Sequence, residues 1–257
     1  NCIIFEKKYS FKNMSDDTDK YKRKMNYPRL FEPGSRFMYG TSTDWVGRLV
    51  EKISNMNLND YFKIKILDPL NLNSTWFNIP RTLENRISPY YQKRNKKFYE
   101  LPNKIPERIS TYSGGGALKS SANDFLKLLK CLLNSGKLDG SRILKSTTVD
   151  LMFRNSLPEG ISLQFDKIET ENSNKDGGIW KENDLWGLAF ALENNPKEKI
   201  RPQGTGYWGG IWNSYYSIDH KNKIAIVYFS QFKPFNDKGA YGLYKLFETI
   251  IYKKYIN

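Results

Sequence analysis

The sequence predicts an α+β protein, and three observations carry that expectation. Strand-like runs gather late in the chain, at Trp186–Leu192, Trp208–Ile218 and Ile224–Ser230. Helical periodicity fills the middle, and one more amphipathic helix closes the chain from about Lys238, with Leu243, Leu246, Phe247, Ile250 and Ile251 at helical spacing. A late sheet with helices before and after it points to an antiparallel sheet flanked by helices.

Composition narrows the class. The chain has 257 residues with 6 Trp, 17 Tyr and 15 Phe, enough apolar mass for one sizeable core and too much for a disordered chain. A single domain over 1–257 is therefore expected, with a mostly helical and loop region over 58–180 and the sheet and last helix over 185–257. No apolar run approaches the roughly 18 residues that a membrane span needs. The net charge is +14, yet lysine is dispersed and mixed with asparagine. The strongest clusters, Lys20–Lys24 and Lys93–Lys97, lie in loop-like stretches without a recognition helix or stacking aromatics, so a solvated basic surface is expected and no nucleic-acid partner. Two cysteines exclude a disulfide framework, and Cys131, inside an apolar helical run, reads as a buried thiol. The one histidine, His220, sits in a polar turn and reads as exposed. Neither a metal nor a cofactor is expected, and acid–base work falls to lysine, tyrosine or carboxylates. No signal-peptide pattern is visible after Asn1, and no compartment is encoded in readable form.

The elements follow in order. Residues 1–30 read as a loop-rich lead-in with one short strand at Cys2–Phe5, and Pro28 and Pro33-Gly34 punctuate what comes next. Val46, Leu49, Val50 and Ile53 mark one apolar helical face, with Ser42 or Thr43 as N-cap and Asp44 in the first turn. Tyr39 falls at the mouth of that helix. A second helical run, Leu58–Leu67, stops at Asp68-Pro69, and the irregular Pro- and Asn-rich segment to about Ile105 is expected to wall a substrate cleft.

Ser113-Gly114-Gly115-Gly116 reads as a flexible turn. It lacks the Lys-Ser/Thr sequel of a phosphate loop. Ser121 to Asp124 then fits a capping box with Asp in the fourth place, opening a helix through Phe125, Leu128, Leu129, Leu132 and Leu133 that ends near Ser135-Gly136. Another helix is expected over Ser146–Phe153. In the sheet, the turn Asp219-His220-Lys221-Asn222 joins the last two strands as an antiparallel hairpin. The paired glycines of Trp208-Gly209-Gly210, entering a strand, would let another group approach the backbone.

Four segments, in this order, resemble a known family: Phe31 to Gly47 around Phe37-Met38-Tyr39-Gly40, Asp68 to Thr75, Gly114 to Asp124, and Trp208-Gly209-Gly210 with its following hairpin. They resemble the penicillin-recognising serine hydrolases, and most closely the class C β-lactamase-like esterases and transesterases, including fungal acyltransferases of the lovastatin type. The resemblance runs from about residue 28 to the C-terminus and implies a β-lactamase/transpeptidase-like fold. It also implies an acyl-enzyme mechanism on a small-molecule ester or acyl substrate. On it, Tyr39 is the base partner, the Ile211 N–H serves the oxyanion, and Ser42, Trp208, Gly209, Gly210 and Trp212 contact the substrate.

The departures matter as much. Tyr39-Gly40-Thr41 lacks the amide of the family's Tyr-x-Asn, with Ser42 the nearest polar substitute. Trp208 replaces a lysine that would hold a β-lactam carboxylate, which favours an ester or thioester. No Ser-x-x-Lys precedes Tyr39; the one match, Ser230 to Lys233, ends a strand instead of opening a helix and reads as chance. The resemblance thus implies the C-terminal two thirds of a longer enzyme whose nucleophile lies upstream, the chain alone being inactive. The alternative is a non-catalytic relative that binds or scaffolds through the aromatic cleft around Trp208, Trp212 and Tyr39.

Overall fold

The computed structural model describes residues 31–102, 108–163, 179–181, 183–195 and 200–256; the expected strand at Cys2–Phe5 and the Lys20–Lys24 cluster lie outside them. In chain order, α1 spans Ser42–Ser54 and α2 spans Leu58–Phe62, continued by a π-helical turn over Lys63–Leu67. β1 (Thr75–Trp76), a 3₁₀ turn (Arg81–Arg86) and the hairpin β2 (Tyr91–Arg94) and β3 (Lys97–Glu100) follow. Next come β4 (Lys119–Ser120), α3 (Ala122–Leu133), β5 (Lys137–Leu138), β6 (Ser141–Arg142) and α4 (Ser146–Met152). The last part holds β7 (Leu185–Trp186), β8 (Ala191–Leu192), β9 (Gly206–Gly210), β10 (Ser214–Asp219), β11 (Ile224–Tyr228), β12 (Phe232–Lys233) and α5 (Lys238–Tyr255).

β11-β10-β9-β8-β7, all antiparallel, form the main sheet. Side chains alternate across a strand, so the register sorts them. Trp208 and Gly210 lie opposite Tyr216 and Ser214 on one face, and Tyr207 and Gly209 lie opposite Ser217 and Tyr215 on the other. α3 covers the first face with Leu129, Leu132 and Leu133 beside Ile218. α5 covers the second, where Tyr244 and Tyr252 pack with Tyr207, Tyr215 and Ile226.

Two expected strands prove to be hairpins. The Trp186–Leu192 run folds back at Gly187, whose N–H donates to the Phe190 carbonyl at 2.9 Å; a Cβ there would lie 2.0 Å from the Met152 carbonyl oxygen. Trp208–Ile218 turns at Ile211–Asn213, with Asn213 left-handed at φ 57, a conformation Asn tolerates better than most side chains. In both cases a composition suited to strands hides the reversal.

Helix ends follow the sequence more closely than helix faces. Ser121 caps α3 by accepting from the Asp124 N–H at 3.2 Å. The Asp124 carboxylate instead accepts from Ser74 N at 2.6 Å and Thr75 Oγ1 at 2.9 Å, tying β1 to α3. α1 starts from Thr41 with no side-chain cap, not from a Ser42 or Thr43 cap. Its expected core face is exposed: α1 buries Asp44 and Gly47, while Val46, Leu49 and Ile53 face outward. His220 is half-buried, stacked on Phe153 at 5.0 Å, and Cys131 is fully buried.

α5 shows the same inversion. Its buried stripe is Ala240, Tyr244, Glu248 and Tyr252, and Leu243, Leu246, Phe247 and Ile250 are exposed. The cause is a buried cation. Arg201, 1% exposed, pairs through Nε with Glu193 at 3.0 Å and through Nη1 with Glu248 at 3.5 Å, and its guanidinium lies 3.7 Å from the Tyr207 ring centroid. Tyr244 donates to Glu248 at 2.8 Å, and the Tyr252 hydroxyl meets Asp219 at 3.1 Å. A buried charge must find partners, so the helix turns its acidic and phenolic stripe inward.

Replacing Arg201 with Met leaves two buried carboxylates without their shared cation, and breaking such a group costs about 3–5 kcal/mol. Urea denaturation of the full-length protein should show a correspondingly lower midpoint; an unchanged midpoint would mean the network is dispensable. Burial alone would raise the Glu248 carboxyl, but the charges of Arg201 and Lys245 outweigh it and hold it below the ordinary 4.5. A depressed acid stabilises the fold above its unfolded pKa and loses that contribution as pH falls through the folded value. The stability advantage of wild type over Glu248→Gln should therefore shrink as the pH drops below 4.5.

Candidate active site

The site grows from the outer edge of β9. β8 pairs with Gly206 and Tyr207 only, so from Trp208 onward that edge carries no strand among the described residues. Tyr39, three residues before the start of α1, meets the Trp208 side chain. The Tyr39 and Trp208 rings lie 5.3 Å apart at 45°. Burial, helped by the nearby Tyr39 phenol, pushes the Tyr216 hydroxyl above its ordinary range; Tyr216 is the cross-strand partner of Trp208.

Trp208 is held by more than Tyr39. Trp180 stacks on it at 5.2 Å and 21°, and Trp186 meets it edge-on at 5.0 Å and 87°, with Phe37 against Trp186 at 5.3 Å. Offset and edge-on pairs of this kind are favoured by the ring quadrupoles. Phe37, Trp180 and Trp186 were not singled out from the sequence. Their one readable signal is being aromatic beside a turn, which many core residues share.

The two glycines of β9 differ in their surroundings. A Cβ on Gly209 would lie 2.9 Å from Ile179 Cδ1 and 3.0 Å from the Tyr215 ring, so that glycine answers to the core. A Cβ on Gly210 would meet only Ser214 Cβ, at 3.8 Å. Open space beside the strand is therefore found at Gly210.

Ile211 opens the β9–β10 turn and is half exposed. Among the described residues nothing accepts from its N–H. The turn is held from below by Asn213, which is completely buried. Its Nδ2 donates to the carbonyls of Phe232 at 2.9 Å and Pro234 at 2.8 Å, while its Oδ1 accepts from the Tyr215 hydroxyl at 2.7 Å and from Asp237 N at 3.0 Å. Trp212, next in the turn, packs on Tyr90 at 4.8 Å with Lys233 Nζ 4.6 Å over its ring, apart from the rings that meet Trp208. Ser42 is the exposed first residue of α1.

The Ser230 to Lys233 match has a structural explanation. The Ser230 hydroxyl lies 3.0 Å from the Trp212 carbonyl and 2.8 Å from that of Asn213, so it braces the same turn. Lys233 covers Trp212.

The glycine run supports Tyr39 from behind. A Cβ on Gly114 would fall 2.3 Å from the Thr43 carbonyl oxygen, and one on Gly47 would be 3.3 Å from Gly114 Cα. Asp44 accepts from the Ser113 hydroxyl and, at 3.1 Å, from the Gly115 N–H. What reads as a flexible turn is a docked one, pressed onto the first turn of α1.

A cleft of about 430 Å³ opens on the Ser214 face of the sheet. Ser214 and Phe229 form one wall, and Trp76, Leu83, Tyr90 and Lys119 belong to the facing segments. The described residues contain no group of three or more His, Cys, Asp or Glu able to hold a metal. No described helix is long and apolar enough to cross a membrane.

The Beta-lactamase family model matches residues 8–249, and the chain belongs to that family. It is 28% identical over 238 residues to monacolin J acid methylbutanoyltransferase of Aspergillus terreus, covering 89% of this chain and 57% of that protein. It is 27% identical over 257 residues to a lovastatin esterase of Penicillium rubens, covering 89% and 59%. Among solved structures, simvastatin synthase of Aspergillus terreus superposes with a TM-score of 0.76 at 24% identity, over 92% of this chain and 59% of that one. A penicillin-binding protein homologue from Pyrococcus abyssi gives 0.57 at 17% identity, over 85% and 44%. These superpositions establish a β-lactamase/transpeptidase-like fold. The chain spans less than two thirds of the length of these relatives.

Two substitutions probe the supports. Gly114→Ala forces the docked turn off α1, and overpacking of this kind costs about 1–3 kcal/mol; thermal denaturation should show the loss. Asn213→Ala takes the acceptor from the buried Tyr215 hydroxyl and from the Asp237 N–H, at about 1–3 kcal/mol for each group. A melting temperature within error of wild type for Asn213→Ala would mean that the turn is held by other contacts.

Proposed function

We propose that this chain forms the substrate-facing part of a serine esterase or acyltransferase that works through an acyl-enzyme, with the Ser-x-x-Lys nucleophile supplied by polypeptide outside these residues. The observation that supports the reading is the Tyr39 ring packed on that of Trp208 in β9, in a chain of the Beta-lactamase family whose relatives include an acyltransferase and an esterase.

The chemistry follows from that placement. A serine Oγ attacks the acyl carbonyl while its proton passes to the Tyr39 oxygen, which acts with the incoming lysine. The carbonyl oxygen takes up the negative charge within reach of the Ile211 N–H. Collapse expels the leaving alkoxide, or thiolate, with a proton returned from Tyr39, and leaves the serine acylated. Water or an acceptor hydroxyl then repeats the sequence in reverse. Trp208, with Trp180 and Trp186 behind it, offers an apolar surface to the acyl group, and Gly210 leaves room beside the strand.

A second reading rests on one observation: Tyr39, Trp180 and Trp186 all pack on the Trp208 ring, an aromatic cluster of the kind that binds apolar ligands. On that reading the aromatic cluster binds a ligand without chemistry. Labelling the full-length protein with a fluorophosphonate separates the two. A covalent adduct on a serine is expected, formed about 10²–10⁴-fold more slowly in Tyr39→Phe. Absence of any adduct from the full-length protein would sink the enzymatic reading and leave the binding one.

A further inference from the structure

We propose that the outward face of α1 is the docking site for polypeptide of the full-length protein that lies outside residues 1–257, and that the docked segment is the one that brings the nucleophile to Tyr39. The second half rests on the acyl-transfer reading above. The first half does not.

α1 turns its polar and small side inward. Its buried residues are Asp44 and Gly47, and the docked glycine turn explains both. Asp44 accepts from the Gly115 N–H at 3.1 Å, and a Cβ on Gly47 would lie 3.3 Å from Gly114 Cα, so a carboxylate and a residue without a side chain must face that turn. Glu51, on the same side, accepts from the Leu58 N–H at 2.9 Å. These contacts fix the roll of the helix and leave its apolar residues on the far side. At 3.6 residues per turn, Trp45, Val46, Leu49 and Ile53 span about 100° opposite the inner face, the width of a stripe that ordinarily meets a core. All four are exposed, from 55% for Trp45 to 76% for Ile53. Scattered exposed apolar residues are ordinary, whereas a contiguous stripe marks a contact surface.

Three observations favour one occupant. The chain spans 57% of the acyltransferase relative and 59% of the esterase, and those proteins have further polypeptide to place against the part they share with it. The stripe begins at Trp45 in the first turn of α1, and Tyr39, itself half exposed, lies just before that turn; a segment laid along the stripe ends beside the phenol. The stripe is also only one helix wide. A separate partner normally covers about 800 Å² of each surface, whereas a tethered segment needs less contact because the tether already raises its local concentration.

The full-length protein carrying Leu49→Cys or Ile53→Cys tests the docking, with Lys221→Cys as the exposed reference. Alkylation by N-ethylmaleimide is followed peptide by peptide in a mass spectrometer. Positions 49 and 53 should react at least about 10-fold more slowly than position 221, because a covered site reacts only through local opening, and their rates should not depend on protein concentration. Rates equal to that at position 221 would overturn the proposal, as would protection that grows with protein concentration, the mark of a second copy. Ile53→p-benzoylphenylalanine then identifies the occupant. Irradiation should join it to a peptide from outside residues 1–257, in the segment whose serine the fluorophosphonate labels. Crosslinks confined to residues 1–257 would sink the proposal, and an outside crosslink in a segment without the labelled serine would remove its second half. Protection with an outside crosslink but no fluorophosphonate adduct would keep the docking site and lose the acyl-transfer reading; an adduct on a protein whose α1 is freely alkylated would do the reverse.

Discussion

The structure depends on a buried guanidinium. Arg201 sits between the sheet and α5 with 1% of its surface exposed, and burying an ion without partners is far costlier than burying an apolar group. Its two carboxylate partners come from distant places: Glu193 just after β8, and Glu248 in the middle of α5. Satisfying both at once fixes how the helix rolls on the sheet. That roll puts Tyr244, Glu248 and Tyr252 inward and sends the apolar stripe of Leu243, Leu246, Phe247 and Ile250 outward.

The same guanidinium acts on the site through alternation. It lies on the ring of Tyr207, whose hydroxyl donates to Asp184. With Tyr207 held on the α5 face, Trp208 must point to the other, where Tyr39 and the tryptophan cluster meet it. Tyr39 arrives from a separate scaffold: α1, held to the glycine turn through Asp44 and the close approach of Gly47 to Gly114. The candidate site therefore forms where two rigid parts converge, the hairpin braced by Asn213 and the helix start braced by Gly114.

Much of this was legible. The boundaries of α2 with its π-helical turn, α3, α4 and α5 fall close to those expected; Asn57, Ser121 and Asp237 cap three of them and a left-handed Ser135-Gly136 ends α3, signals that act within one turn of chain, whereas α4 starts from Lys145 with no side-chain cap. The family was readable too, from four ordered segments. Faces were not. The hydrophobic pattern puts Val46, Leu49 and Ile53 of α1 and Leu243 to Ile250 of α5 in the core, and the structure leaves them out. Periodicity reports that a helix has two sides and not which side a neighbour needs. The runs at Trp186–Leu192 and Trp208–Ile218 failed for a related reason: their reversals are forced by the Met152 carbonyl and by the partners of Asn213, groups that the local sequence does not contain.

By itself, then, the sequence determined the kinds of element, their ends, the hairpin between β10 and β11, and the membership of Tyr39 and Trp208-Gly209-Gly210 in one family pattern, since caps, turn residues and motif order are local properties. Only the tertiary structure decided that Gly209 serves the core while Gly210 opens space, that the glycine run is docked onto α1, and that α5 meets the sheet through Glu248. Each of those turns on a contact between residues far apart in the chain, where a carbonyl oxygen or a buried charge sets the terms.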